Sequence, residues 1–506
     1  MTQIIALAAI VIFAAIMVVI GIFSSKSTKT LDGFLLGGRN IGAWLTAFAY
    51  GTTYFSAVIF IGYAGDTGWN VGLSALWIGI GNAVIGCLAA WLLLAKRTRR
   101  MTRKLEARTM PEFFSARYDS PALKMYSAII IFIFLVPYAA TVYKGLGALF
   151  GSIFPNNFLG FSPTTVCTFI IAVLAAIYLV LGGYLASSIN NFVQGTIMIV
   201  GVIVMCVSLI NNPNVGGLSA AIEKLGEANP VLVSPFGGES WVFLLKNILL
   251  TSFGVWGLPQ MVHKYYAIKD EAQIKKGTII ATIFAVIIGC GAYFAGSLGR
   301  FFVEANEAGA PVVGYDNVVP TMLNNAFGGS VGGNILLSII LLCVLSASIS
   351  TLTSIVLTSS TSISVDICRT LVPSQEKYTP KKEMIFTRAL CFLFIAISFI
   401  LANFNFAIIT TIMSFSWGVV SGCFIGPYVW GLYSKKITKA GAWSGILCGV
   451  VVFAVWFILS RVNPSITFDT ALCGSLAMLL SFIVVPVVSL FTPKLDEKTV
   501  DNAFGE

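Results

Sequence analysis

GVWGLP, residues 254–259, is the run on which the reading of this chain turns. It sits in an apolar window near 240 to 261. Its two glycines and Pro259 suit an interrupted helix, because proline has no amide donor and crowds the preceding turn. A second apolar window, near 41 to 66, contains AYGTTYFSAV at 49–58, where Gly51 beside Thr52 and Thr53 offers backbone that can unwind. Glycine alone decides little, since the chain has 48 and most serve close helix packing. Interruptions at corresponding places of two halves say more, because discontinuous helices line the binding sites of membrane carriers. The two windows lie five spans apart, which predicts an inverted repeat of five plus five helices, with core repeats over about 41–211 and 240–433.

The composition sets the class. With 57% hydrophobic residues, 10% charged residues and a mean hydropathy of +0.90, the chain reads as an all-α polytopic membrane protein. About 13 windows are long enough to cross a bilayer. They form one transmembrane domain over 1–493, followed by a short cytoplasmic tail at 494–506. The first apolar stretch has no basic flank before it and reads as an uncleaved span. With the N-terminus outside and the C-terminus in the cytoplasm, all but Lys144, Lys224, Lys246, Arg300 and Arg461 of the 31 Lys and Arg residues are cytoplasmic. The net charge of +10 is then a signal of orientation in a cell membrane, and no nucleic-acid partner is expected.

Enzyme chemistry has little to work with. His263 is the only histidine, the acids crowd into loops and the tail, and no GxxxxGK[ST] phosphate loop is present. The ten cysteines form no CxxC pair, so neither a disulfide framework nor a metal centre is expected. No organic cofactor is expected either. A transporter, a channel or a membrane scaffold remains.

Residues 346–364, SASISTLTSIVLTSSTSIS, carry Ser or Thr at 12 of 19 positions inside an apolar window. Such hydroxyls bond their own helix, glue it to a neighbour, or line a hydrated path. At helical spacing Ala347, Ser350, Thr351 and Ser354 share one face, where two hydroxyls and a freed carbonyl could converge on one small ion. Uncharged oxygen ligands suit an alkali cation.

Several runs resemble the sodium:solute symporter family, which includes proline, pantothenate, monocarboxylate and sugar carriers. They are FLLGGRNIG (34–42), LGGYLASSINNFVQ (181–194), GLPQMVHKYYAIKD (257–270), SIST (348–351) and GLYSKKITKAGAWSGILCGV (431–450), the last departing from the family pattern at Cys448. The resemblance implies a leucine-transporter-type core and Na⁺ as coupling ion, imported with a small organic solute by alternating access. It implies a sodium site made by the carbonyls of Thr52, Phe55 and Ala347 and the hydroxyls of Ser350 and Thr351, with no other metal. It places the solute beside Tyr138, Thr251, Val255, Trp256 and Trp417. Thr251 and Val255 stand where the proline branch has an aromatic pair, and 257–270 is similar to the pantothenate branch, which points to a carboxylate-bearing solute. The alternatives are a sodium-independent facilitator or exchanger of this fold, or a sugar- or proline-type symporter. Many members have an acid where this chain has Asn191, so one Na⁺ per solute is expected, with Asn191 otherwise capping its span. Lys144 either meets a substrate carboxylate or gates the site; otherwise it snorkels, with Lys246, to the outer headgroups.

Overall fold

The computed structural model describes residues 2–24, 30–154, 157, 160–372, 379–404 and 407–505, with side chains at all of these except 2, 178 and 180–182. The side chains of Leu181 and Gly182, which open one of the motifs above, and Glu506 of the tail therefore lie outside the described residues. Among the described residues the regular structure is helical, and the only bridges are two isolated ones, Ile41–Ile268 and Ala305–Pro311.

The main helices are α1 (Gln3–Ser24), α2 (Ala43–Tyr54), α3 (Val58–Lys104), α4 (Pro121–Ile153), α5 (Pro163–Ile177), α6 (Gly183–Ile210), α7 (Trp241–Gly257) and α8 (Pro259–Ala267). After them come α9 (Glu271–Phe301), α10 (Val331–Leu371), α11 (Pro380–Ala402), α12 (Ile409–Tyr433), α13 (Lys439–Val462) and α14 (Thr470–Leu490). Ten described helices are long and apolar enough to cross a membrane, and α7 with α8, bent by 46°, make an eleventh span. The two remaining expected passages are the broken α2 to α3 segment and the short α5. Straight, the 47 residues of α3 would run about 70 Å, more than twice a hydrocarbon core. Gly72, at φ 55° and ψ −131°, turns it back, so α3 supplies the second half of one passage and all of the next.

Helix α2 stops at Tyr54 because Phe55 is extended, at φ −98° and ψ 100°. Helicity resumes with the amides of Ile59 and Phe60 bonded to the Ser56 carbonyl. In the second half, Leu258 is extended before Pro259, which opens α8 where its missing amide costs nothing. The loop before α2 and the end of α8 are joined by Ile41 and Lys269, whose amides donate to the carbonyls of Ala267 and Ile41 at 3.2 and 3.0 Å. Helix α10 is buried over most of its length and packs against α2, α4, α6 and α11, which brings the hydroxyl-rich run to the first break.

Candidate functional site

The last turn of α2 ends without further helical amides, so its carbonyls need other partners. Helix α10 supplies them. Ser350 Oγ donates to the Thr52 carbonyl at 2.9 Å, and Thr351 Oγ1 lies 3.1 Å from the same oxygen and 3.2 Å from that of Thr53. Ser350 Oγ is also 3.0 Å from the Ala347 carbonyl. Thr52, Phe55, Ala347, Ser350 and Thr351 are all buried. The cluster is uncharged, but it faces the negative end of the α2 dipole, which favours a cation.

Tyr138 of α4 and Trp417 of α12 meet on the other side of the break, with ring centroids 6.0 Å apart and planes at 88°. Tyr138 Oη is buried beside Trp417 and Ser56, yet neither it nor Trp417 Nε1 closes a hydrogen bond of standard geometry. Gly254 of α7 lies against the Trp417 ring, where a Cβ would stand 3.3 Å from Cε3. Trp256 is two residues on, roughly 200° round the helix. It donates from Nε1 to the Ile85 carbonyl at 3.0 Å and lines a crevice with Phe253, Ile425 and Met478, away from the Tyr138–Trp417 pair. Thr251 Oγ1 lies 2.7 Å from the Asn247 carbonyl and 2.8 Å from Asn82 Oδ1, while its own carbonyl accepts from Tyr54 at 2.8 Å. Val255 is buried between these positions. The five expected solute contacts are therefore divided: Tyr138 and Trp417 converge, and Thr251 and Trp256 are engaged elsewhere.

The charged residues differ most from expectation. Lys144 does not snorkel: its ammonium donates to the Ala407 carbonyl at 2.6 Å and faces Asp316 at 3.7 Å. Asp316 in turn accepts from the Ile409 amide at 3.0 Å, capping α12. Burial pushes the Asp316 carboxyl up, and the Ile409 amide and Lys144 pull it back. Lys246, also expected at the headgroups, is paired with Asp469. Asn191 caps nothing, because α6 starts at Gly183, and its amide is fully buried without a partner. The acids are not confined to exposed loops: Asp366 of α10 is fully buried, bonded by Thr109 at 2.7 Å and sharing Lys124 with Glu112. Lys264, grouped with the cytoplasmic cations by sequence, is buried on α8. Residue spacing on one helix carries no sign of these partners, which come from other helices.

The family model described as the sodium:solute symporter family matches residues 34–449. The chain belongs to the sodium:solute symporter family. It is 27% identical over 499 residues to the osmoregulated proline transporter OpuE of Bacillus subtilis (strain 168), covering 98% of this chain and 96% of that one. It is 28% identical to a sodium/proline symporter of Staphylococcus aureus (strain JH9), covering 97% and 92%. Among solved structures it is similar to a Na⁺-coupled sialic acid symporter in a substrate-bound outward-open state, with a TM-score of 0.75 at 17% identity over 97% of this chain and 99% of that one. MHP1, a nucleobase-cation-symport-1 family transporter, matches with a TM-score of 0.51 at 18% identity over 93% and 97%. The fold is thus the leucine-transporter type, and this symporter is a multi-pass membrane protein that moves a solute with Na⁺ as coupling ion and is not an enzyme.

Proposed function

We propose that the chain imports a small carboxylate-bearing organic solute across the plasma membrane, driven by one Na⁺ bound between the α2 break and α10. The observation that carries this reading is the convergence of the Ser350 and Thr351 hydroxyls on the Thr52 carbonyl, from a helix about 300 residues away in sequence. With the carbonyls of Phe55 and Ala347, these groups offer five neutral oxygens. That set suits an ion that must be released on the inner side. The N-terminus faces out and the C-terminus faces the cytoplasm, by the distribution of Lys and Arg.

The solute sits against Tyr138 and Trp417. Its carboxylate meets the free amides where helicity resumes in α3, since a half-helix N-terminus favours negative charge. Lys144 is not that partner, because Asp316 holds it. Proline and pantothenate both carry a carboxylate; proline comes first because two relatives are named for it. Uptake into proteoliposomes tests the reading, using proline, pantothenate, short monocarboxylates and sugars with and without an inward sodium gradient. Accumulation of a carboxylate that collapses without the gradient is the expected result. Sodium-independent equilibration would make this a facilitator, and accumulation of sugars alone would overturn the carboxylate.

A further inference from the structure

Beside the candidate sodium site stands a second cluster of oxygens. Thr53 Oγ1 and Ser354 Oγ lie 2.9 Å apart, and Ser354 Oγ is 3.1 Å from the Ser350 carbonyl. Lys264 reaches this cluster from α8: its ammonium donates to Ser354 Oγ at 3.0 Å and lies 5.3 Å from the centre of the Tyr184 ring. The lysine is 2% exposed, and the ion pairs among the described residues do not include it.

Helix α6 closes the cluster. Tyr184, Ser188, Asn191 and Gly195 recur at helical spacing on one face. One end of that face lies under Lys264, and at the other a Cβ on Gly195 would stand 2.9 Å from Thr52 Cγ2. Asn191 lies between them, on the face turned to this cluster, and both polar atoms of its buried amide lack a partner. Two hydroxyls and one amide oxygen are hard, neutral ligands of the kind that make up the first site.

We propose that Lys264 is a tethered cation: its ammonium fills the place where Thr53, Ser354 and Asn191 would otherwise hold a second Na⁺, and so fixes coupling at one ion per solute. This rests on the reading of Thr52, Ser350 and Thr351 as the first site. An ammonium one hydroxyl removed from that site also repels the ion bound there, so it weakens Na⁺ binding and favours release. A neutral residue at 191 is consistent with this role, because an acid there would pair with the lysine.

Equilibrium binding of radioactive sodium to the purified full chain tests this without knowledge of the solute. The wild type binds one ion per chain. Lys264→Met binds the first ion about tenfold more tightly and gains a second, weaker ion, and Asn191→Asp on that background tightens the second ion. Lys264→Arg keeps the charge and behaves as the wild type, which separates charge from packing. Thermal unfolding in sodium or choline chloride gives a second readout: sodium should stabilise Lys264→Met at lower concentration than the wild type. A single ion in Lys264→Met would overturn the proposal, as would two ions in the wild type. If Ser350→Ala binds sodium as the wild type does, the first-site reading fails instead, and the two failures are distinguished.

Discussion

At the scale of single residues, Ser350 and Thr351 bridge a helix end that would otherwise leave carbonyls unpaired in an apolar interior. Both hydroxyls donate to the Thr52 carbonyl, and in the proposed site their lone pairs would turn to Na⁺. Ser350→Ala or Thr351→Ala removes one of the five proposed ligands, a loss of about 1.4 kcal/mol, and should raise the sodium concentration for half-maximal uptake tenfold or more. Sodium activation like that of the wild type in both variants would exclude this site. Tyr138 Oη and Trp417 Nε1 are buried without a hydrogen bond of standard geometry, which suits the proposed contact with a polar solute. Tyr138→Phe removes only the hydroxyl, so it should raise the solute concentration for half-maximal uptake several-fold while leaving sodium activation near normal. Trp256→Phe, on the other face of α7, should change neither by more than about twofold. An effect of Trp256→Phe larger than that of Tyr138→Phe would move the pocket.

At the scale of elements, close helix crossings and a charged latch hold the two halves. Helices α3 and α9 cross at Gly68 and Gly296, where a Cβ on either would run into the other helix's backbone. Gly68→Ala or Gly296→Ala forces those helices apart, and overpacking of this kind costs about 1–3 kcal/mol. A lowered unfolding temperature is expected for both, with little change for Gly332→Ala, whose Cβ would meet open space. The C-terminal part of α4 and the start of α12 are tied by the chain of Lys144, Asp316 and the Ile409 amide. Burial holds the Asp316 carboxyl above the usual range for an aspartate, so its charged form is the strained one. A carboxyl raised in this way stabilises the fold below its unfolded value, and the contribution is lost as pH rises through the folded value. Lys144→Met removes the compensating charge and should lower the unfolding temperature at neutral pH. The deficit should shrink as pH falls into the carboxylate range, and Asp316→Asn should abolish most of it. A pH-independent deficit would mean that lost packing, and not an unpaired carboxylate, is responsible.

At the scale of the whole molecule, one tethered ammonium and one sodium site imply a coupling ratio of one. A single Na⁺ moving down 100 mV and a tenfold gradient supplies about 2.3 plus 1.4 kcal/mol, enough to concentrate a neutral solute roughly 500-fold. A monovalent anion cancels the charge of that ion, so the voltage term drops out and accumulation falls to about tenfold. Sodium and solute fluxes measured together at clamped voltage should give a ratio near one. A ratio near two would show that neutral ligands suffice for a second ion.

Much of this protein was legible in the sequence because the bilayer restricts what a chain can do. Long apolar windows must be helices, and Pro259 marks where one of them yields, while the other yields at Phe55, four residues beyond Gly51, which stays helical. The hydroxyl-rich run at 346–364 signalled that something polar was met in the interior, and its helical face included the residues that contact Thr52. The partners of the charges were not legible. Lys144, Lys246 and Lys264 look alike in sequence, yet the first two are paired with Asp316 and Asp469, and the third is bonded to Ser354 without an acid. Asp366 follows an apolar run as a loop acid would, yet it is buried with Thr109 and Lys124. The length of the apolar windows determined the spans, and periodicity along one helix fixes which residues share a face. Which face meets which, and so which charge is neutralised and which left alone, depends on contacts between helices hundreds of residues apart, and only the tertiary structure decided them.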